Sequence, residues 1–392
     1  MIYLDNAATT PMNERVQKAM LPYLREAYGN PAGIYGLGVK SRNAIEEARE
    51  QIAKTLDCKA QEIYFTAGGS ESDNWMLQRM TETCEHPHII TSKIEHHAVI
   101  NTCRYLEKKG VRVTYLDVDE MGIVNTDQLQ NAITPDTCLI SIMTANNEVG
   151  AIQPMKKIGA IAKKHGILFH TDAVQAYGHI PIALQEWNVA ALSASAHKFC
   201  GPKGCGFLFL REDVLLPPLL YGGSQEKNKR AGTSNVAGIV GMGEAATWAY
   251  ETMEARTKKE SQMRDWLIRE VQKNIPYTRV NGSMKNRLPN NISFSFPFVE
   301  GETLLQLLDM EEICASAASA CASESHEISH VLRALGLPES LARGTIRLTL
   351  SAQNTQAELG RVVEVLEESV ARIREMTQEY NDFLNPGYKD KF

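Results

Sequence analysis

Helical and strand patterns alternate through the first two thirds of this 392-residue chain. Apolar residues recur at helical spacing in the early segments, and short strand-like runs then appear between helical stretches. These runs are Ile63–Phe65, His88–Thr91, Val111–Leu116, Cys138–Met143 and Ile167–His170. Strands that alternate with helices usually pair in parallel and are covered on both faces. The pattern therefore predicts an α/β fold built on a large, mostly parallel sheet.

The length of the chain indicates two domains, since a single hydrophobic core seldom grows beyond roughly 250–300 residues. We predict a large domain over residues 13–255. A smaller α+β domain would combine residues 1–12 with residues 256–392. A helical stretch over residues 235–273 would join the two domains. The smaller domain would contain strands over 291–296 and 345–350 and a long helix over 355–380.

Composition and charge narrow the classes of partner. The net charge of −6 is spread along the chain without a basic block, so we expect no nucleic-acid partner. No run approaches the roughly 18 apolar residues of a membrane span, and the start lacks the pattern of a signal peptide. Eight cysteines without a CxxC pair are typical of reduced thiols. We therefore expect a cytoplasmic protein with no membrane partner.

A lysine and an aspartate provide the clearest chemical indication. Lys198 lies in the glycine-containing segment 195–204, and Asp172 directly follows an apolar strand. A Schiff-base amine and a carboxylate for a pyridinium nitrogen are what enzymes using pyridoxal phosphate require. Alone, Asp172 could equally cap a helix, but the pair makes an enzyme the leading interpretation. Gln175 and Asn147 could both reach the phenolic oxygen of the cofactor ring.

A glycine-rich segment, residues 66–71, lies between a predicted strand and a helix. There Gly69 would allow close approach, and Ser70 and the exposed N–H groups of the helix start would favour a phosphate. The alternative is a simple turn in which Ser70 caps the helix. Walker A and GxGxxG spacings are absent from this segment, which argues against a nucleotide site. Since ligands gather at the carboxyl ends of strands in such sheets, we expect these motifs to meet at one site.

Three further side chains suit such a site. His96 follows a strand and could stack on a flat cofactor or move a proton, although a surface histidine at a helix start is the ordinary explanation. Cys321 lies among small residues, so its thiol could be an exposed, mobile nucleophile or simply part of a tight turn. Arg347 interrupts an apolar strand, where a substrate carboxylate or a structural salt bridge would pair with it.

One motif indicates a different chemistry. His326-Glu-Ile-Ser-His330 matches HExxH, whose two histidines could bind zinc on one helix face. Glu327 would then be the general base, and Glu339 could be a third ligand. This zinc peptidase hypothesis leaves the lysine, the aspartate and the arginine unexplained. We therefore predict no metal site.

Read in chain order, the motifs closely resemble the cysteine desulfurases of the NifS/IscS family, in the class V aminotransferase group. The resemblance covers nearly the whole chain. It includes the Asp172, Lys198 and Arg347 motifs together with the segments Tyr3–Pro11, Tyr28–Pro31, Gly69–Asn74, Asn146–Gly150, Arg230–Thr233 and Ser319–Cys321.

The resemblance implies the aminotransferase fold type I and a homodimer with its sites near the subunit boundary. Lys198 would hold pyridoxal 5'-phosphate as a Schiff base, Asp172 would pair with the ring nitrogen, and His96 would stack on the ring. Asn147 and Gln175 would contact the ring oxygen. Gly69, Ser70, Ser195 and His197 would hold the phosphate. Thr233 of the partner subunit would join them.

The resemblance also implies the reaction. L-cysteine would become L-alanine, and its sulfur would pass to Cys321 as a persulfide and then to an acceptor such as an iron–sulfur scaffold or a tRNA-thiolation protein. Arg347 and Asn147 would bind the substrate. Tyr35, Ser234 and the segment 325–329 depart from the family pattern, and the altered segment 325–329 leaves the acceptor open. A selenocysteine lyase or another β-lyase is the alternative within the same chemistry.

Overall fold

The computed structural model describes residues 1–317 and 328–384 of the chain. The strands are β1 (Ile2–Tyr3), β2 (Ile63–Thr66), β3 (His88–Ser92), β4 (Arg112–Leu116), β5 (Thr137–Ser141), β6 (Leu168–Asp172), β7 (Ala191–Ser195), β8 (Gly206–Leu210), β9 (Arg279–Val280), β10 (Asn291–Ser295), β11 (Ile313–Cys314), β12 (Ser316–Ala317) and β13 (Thr345–Thr349).

The helices lie between these strands and after the last of them. They are α1 (Glu14–Arg25), α2 (Gly36–Leu56), α3 (Gly69–Thr81), α4 (His97–Glu107), α5 (Thr126–Ala132), α6 (Met155–Lys164), α7 (Gln225–Asn228), α8 (Val236–Glu251), α9 (Met253–Asn274), α10 (Gly301–Met310), α11 (His330–Ala334), α12 (Glu339–Ala342), α13 (Gln356–Glu375) and α14 (Gln378–Leu384). Among these described helices, none combines the length and the apolar character that crossing a membrane requires.

The largest sheet has the strand order β2-β8-β7-β6-β5-β3-β4. The strands from β7 to β4 pair in parallel, and β8 runs antiparallel to both of its neighbours. Each strand predicted in the first two thirds is present within a few residues of its expected bounds. The predicted mostly parallel α/β sheet is therefore confirmed, although β7 and β8 were not predicted.

Both faces of this sheet are covered by helices. Neighbouring residues of one strand point to opposite faces, so Phe207 packs in a cluster with Ile52 of α2 and Met242 of α8. Leu208 packs instead in a cluster with Trp75 of α3 and with α4. Burial on both faces explains why these strands are almost continuously apolar.

A second, antiparallel sheet has the order β12-β13-β10-β9 and packs with α9, α10 and α13 around a separate hydrophobic cluster. The amino-terminal strand β1 pairs with β11, and Asp5 forms a bridge to Thr349 of β13. The predicted helical stretch over 235–273 consists of two helices, α8 and α9, with Thr252 between them. The domain boundaries at 12 and 255 stay a prediction.

Candidate active site

A cavity of about 280 Å³ opens at the carboxyl ends of β3, β5, β6 and β7. The structure brings most of the predicted site residues to its walls, as expected for ligands at this edge of an α/β sheet. Those that line the cavity are Gly69, Ser70, His96, Asn147, Asp172, Gln175, Ser195, His197, Lys198 and Arg347.

Lys198 is fixed at both ends of its side chain. It closes a single 3-10 turn that follows β7, and its backbone carbonyl accepts a hydrogen bond from His179 Nε2 at 2.9 Å. Its Nζ donates to the carbonyl oxygens of Ala7 and Ala8, at 2.5 and 2.7 Å. The amino-terminal segment therefore positions the amine in the cavity.

Asp172 ends β6 and is almost completely buried. A turn rather than a helix follows it, and Val174 N–H donates to its Oδ1 at 2.8 Å. Burial raises the pKa of this carboxyl, whereas that N–H group and the Lys198 amine act in the opposite direction. A buried carboxyl of this kind is stabilised as an anion by a cation placed next to it.

The start of α3 forms a cradle on another wall of the cavity. Gly69 is the first helical residue, and a Cβ built there would lie 2.4 Å from Val174 Cγ2. The first N–H groups of a helix lack intrahelical partners and favour an anion. Ser70, Ser195 and His197 also line an adjoining cavity of about 500 Å³, which Lys203 joins. These groups fit a phosphate.

His96 combines the two interpretations that its sequence context allowed. It caps α4, since its Nδ1 accepts a hydrogen bond from Ala98 N–H at 3.1 Å, and its side chain also lines the cavity. Burial lowers its pKa to about 4, and the neighbouring Lys198 and His97 lower it further. The ring is therefore neutral at physiological pH and suited to stacking.

Arg347 lies on β13 and is 2% exposed. Its Nη2 donates to Asp5 Oδ1 at 2.8 Å and its Nη1 to the carbonyl of Asn147 at 3.1 Å. Its Nε is buried without a hydrogen-bond partner among residues 1–317 and 328–384. The structural salt bridge is thus real, and the same side chain lines the cavity.

Gln175 contributes to the cavity through a contact with the amino-terminal segment. Its Nε2 donates to the carbonyl of Ala7 at 2.9 Å, the same oxygen that accepts from Lys198 Nζ. One backbone carbonyl therefore connects both side chains, which orients them together.

Three further ionisable residues line the cavity, namely Asp73, Glu148 and His330. Sequence reasoning gave Asp73 and Glu148 no role and considered His330 only as a zinc ligand. Glu148 accepts a hydrogen bond from Ser329, and burial raises its pKa to about 7 although Ser329 and Arg347 lower it. His330 Nε2 donates to the carbonyl of Glu95 at 2.9 Å. Glu148 could have been found, because it follows the paired asparagines of the motif at 146–150.

One predicted residue of the described part of the chain lies away from this cavity. Thr233 is exposed and borders a separate cavity of about 170 Å³ with Gly204 and Cys205. Cys321 lies outside the described residues.

The zinc hypothesis finds no support in the described part of its motif. His326 and Glu327 lie outside the described residues, and the carboxylate of Glu339 pairs with Arg343 at 2.6 Å. Over the ranges 1–317 and 328–384, no group of three histidine, cysteine or acidic side chains could hold a metal ion.

Most of the length of this chain can be matched to known proteins. The family model described as aminotransferase class-V matches residues 2–362. The chain belongs to this family. Membership confirms the predicted class of enzyme and the predicted fold.

Curated relatives of this class V aminotransferase place it more narrowly. It is 50% identical to cysteine desulfurase IscS of Dictyoglomus turgidum over 375 residues, which cover 95% of both chains. It is also 50% identical to cysteine desulfurase IscS of Methanosarcina thermophila, over 96% of this chain and 93% of the relative. These relatives confirm the resemblance to the NifS/IscS family.

Solved structures give the same result. A NifS-like protein superposes with a TM-score of 0.90 at 39% identity and covers 95% of this chain and 99% of its own. A NifS-like protein from Rickettsia africae gives a TM-score of 0.86 at 30% identity, with 94% and 99% coverage. SspA, solved in complex with cysteine, gives 0.81 at 36% identity, with 91% and 100% coverage.

Proposed function

We propose that this class V enzyme is a cysteine desulfurase that uses pyridoxal 5'-phosphate to convert L-cysteine into L-alanine. The sulfur passes to Cys321 as a persulfide and then to a sulfur-acceptor protein. One observation carries the proposal: an amine, a buried carboxyl and a guanidinium, from Lys198, Asp172 and Arg347, line one cavity of about 280 Å³. Relatives at 50% identity that bear the name cysteine desulfurase, and a structural neighbour that binds cysteine, support the choice of substrate.

The donors and acceptors of the cavity suit the cofactor. Lys198 would hold it covalently, and the buried Asp172 would pair with the protonated ring nitrogen. The space that a Cβ at Gly69 would fill, with Ser70 and His197 beside it, would receive the phosphate. When bound, pyridoxal phosphate supplies an electron sink for the electron pair left at the substrate α-carbon.

The side chains of this enzyme have distinct tasks in that reaction. Arg347 would bind the substrate carboxylate through charge-assisted hydrogen bonds and so orient the α-carbon. The Lys198 amine would then remove and return the α-proton as general base and acid. His96, neutral because of its burial, would cover one face of the ring without adding a charge.

Sulfur transfer requires a nucleophile, and we assign that task to Cys321 from the sequence. Its thiolate would attack the substrate sulfur, so that an S–S bond forms and the C–S bond breaks. The electron pair of the C–S bond goes to the substrate β-carbon, which takes up one proton and becomes the methyl group of alanine. A thiolate of an iron–sulfur scaffold or of a tRNA-thiolation protein would later attack the outer sulfur.

The test is to give the purified holoenzyme L-cysteine with a thiol reductant and to measure sulfide and alanine together. We expect equal yields, and loss of both in the Cys321→Ser variant. Cys84→Ser, which replaces a partly exposed thiol outside the cavity, is the matched control and should be fully active. Sulfide release that survives Cys321→Ser would contradict the persulfide step and favour a β-lyase.

We also propose a homodimer in which Thr233 of the partner subunit completes the phosphate site. The exposure of this threonine, away from the Lys198 cavity of its own chain, supports the proposal. Mixing Lys198→Ala chains with Thr233→Ala chains should restore activity that neither variant has, because each mixed dimer then contains one intact site. If the mixture stays as inactive as its parents, Thr233 does not act across the subunit boundary.

A further inference from the structure

A row of hydrogen-bonded polar side chains crosses the sheet just below the cavity. Ser141, His170 and Ser193 lie on the neighbouring parallel strands β5, β6 and β7, and all three are buried. His170 Nδ1 is 2.9 Å from Ser141 Oγ, and its Nε2 is 3.0 Å from Ser193 Oγ. The Ser193 hydroxyl also hydrogen-bonds the carboxyl of Asp73, which comes from α3.

Asp73 shares its surroundings with Asp172. Both carboxyls line the cavity, with exposures of 1% and 4%. Ser193, the partner of Asp73, is also the residue that pairs with Asp172 in the register of β6 and β7. Two buried carboxyls that repel each other cannot both ionise at low cost, so the pair holds a proton near neutral pH.

The surrounding charges decide which carboxyl keeps that proton. The Lys198 amine favours the ionised form of Asp172. Asp73 faces the acidic groups Asp172 and Glu95, and burial together with these two groups raises its pKa well above the ordinary range.

The nearby His170 ring does not neutralise a negative charge on Asp73. His170 Nε2 lies 3.7 Å from Asp73 Oδ1, beyond a hydrogen bond. Complete burial lowers the pKa of His170 to about 3, so its ring is neutral. Asp73 Oδ1 has no hydrogen-bond partner within residues 1–317 and 328–384. An unpartnered carboxylate oxygen in the interior is costly, whereas a neutral carboxyl is tolerated.

We infer that Asp73 is a positioning residue that stays protonated in the working enzyme, so that the negative charge of the pair rests on Asp172. A neutral Asp73 keeps the negative charge on Asp172, the carboxyl that would pair with the ring nitrogen. The effect on the ring nitrogen rests on the proposed function. The protonation of Asp73 itself depends only on residues of this chain.

The first experiment is infrared difference spectroscopy at pH 7.5, on the holoenzyme and on the protein after removal of its cofactor. Glu95 also keeps a proton at this pH and gives a band of its own. Asp73→Asn should remove one protonated-carboxyl band that both Asp172→Asn and Glu95→Gln keep. Loss in Asp172→Asn with retention in Asp73→Asn would overturn the inference. If Asp73→Asn fails to fold, Ser193→Ala serves instead, because loss of that hydrogen bond must shift the frequency of the same band.

The second experiment titrates the visible absorption of the lysine-bound cofactor against pH. Asparagine is neutral like a protonated carboxyl, so Asp73→Asn should leave the midpoint nearly unchanged. Were Asp73 ionised, removal of its charge would lower the midpoint by about one pH unit or more, which would contradict the inference. A protein that never forms the visible band refutes the proposed function instead, and the cofactor-free infrared result still decides the state of Asp73.

Discussion

The phosphate cradle can be tested by adding one methyl group at Gly69. The new Cβ would lie 2.4 Å from Val174 Cγ2 and 3.8 Å from Ser195 Cβ. Carbon atoms pack at about 3.5–4.0 Å, and a β-branched valine has little freedom to turn away. The Gly69→Ala variant must therefore displace either the start of α3 or the valine whose N–H group holds Asp172.

The expected loss of affinity follows from the cost of overpacking, about 1–3 kcal/mol. If displacement of the start of α3 weakens cofactor binding by that amount, the dissociation constant for pyridoxal phosphate rises about 5- to 150-fold, since about 1.4 kcal/mol is a factor of ten. Titration of the cofactor-free protein, followed by visible absorption, measures this constant. Thermal unfolding of the cofactor-free variant shows how much of the cost is borne by general stability instead.

Two further variants control the experiment. Gly360 lies in α13, and a methyl group added there would meet no neighbouring heavy atom, so Gly360→Ala should stabilise the helix by about 0.5–1 kcal/mol and leave cofactor affinity unchanged. Val174→Ala, added to Gly69→Ala, removes the colliding methyl group and should recover most of the affinity. Wild-type affinity in Gly69→Ala, or no recovery in the double variant, would refute the cradle.

Three other predictions follow from single contacts. In the Arg347→Lys variant, the lysine cannot both keep the bond to Asp5 and bind a carboxylate through two parallel N–H groups. Steady-state kinetics should therefore show a KM for L-cysteine that is raised about tenfold or more. An unchanged KM would count against substrate binding by Arg347. Burial raises the pKa of Glu95 to about 8 from 4.5, so the folded protein keeps a proton that the unfolded chain releases, and stability falls as pH rises between those values. The urea midpoint of Glu95→Gln should therefore gain on the wild type from pH 6 to pH 9, and parallel curves would contradict the assignment. Gly159→Ala places a Cβ 1.6 Å from the carbonyl oxygen of Trp187. The variant should lower the free energy of unfolding, measured by urea denaturation, by about 3 kcal/mol or more. A loss no larger than that of an ordinary surface substitution would show that the backbone moves to accommodate the methyl group.

Sequence patterns predicted the sheet best where strands are rich in large apolar residues. β7, Ala191–Ser195, was missed because it consists mainly of alanine and serine, which give neither an apolar run nor an alternation. Its small side chains are explained by the structure, since His170 and α3 pack against it. The antiparallel direction of β8 is set by a short connection from β7, and periodicity carries no information about strand direction.

The candidate site was predictable where one motif supplies one side chain after a strand, as with Asp172 and Lys198. Asp73 was not predicted as a site residue because it lies within α3, where an acidic residue ordinarily faces solvent. The contribution of the Ala7 and Ala8 carbonyl oxygens was not predicted for a different reason. Backbone groups leave no trace in residue identity, so their bonds to Lys198 become visible only in three dimensions.

The amino-terminal segment has a consequence for the order of events in biosynthesis. Asn6 donates to the carbonyl of Thr349, 343 positions later in the chain, and its neighbours hold the amine of Lys198. The amino-terminal partner is synthesised long before β13, so this wall of the cavity can form only after β13 has been synthesised. Coenzyme capture should therefore be a late event. A polypeptide halted by a stop codon before β13 would contain the reactive lysine and still remain colourless.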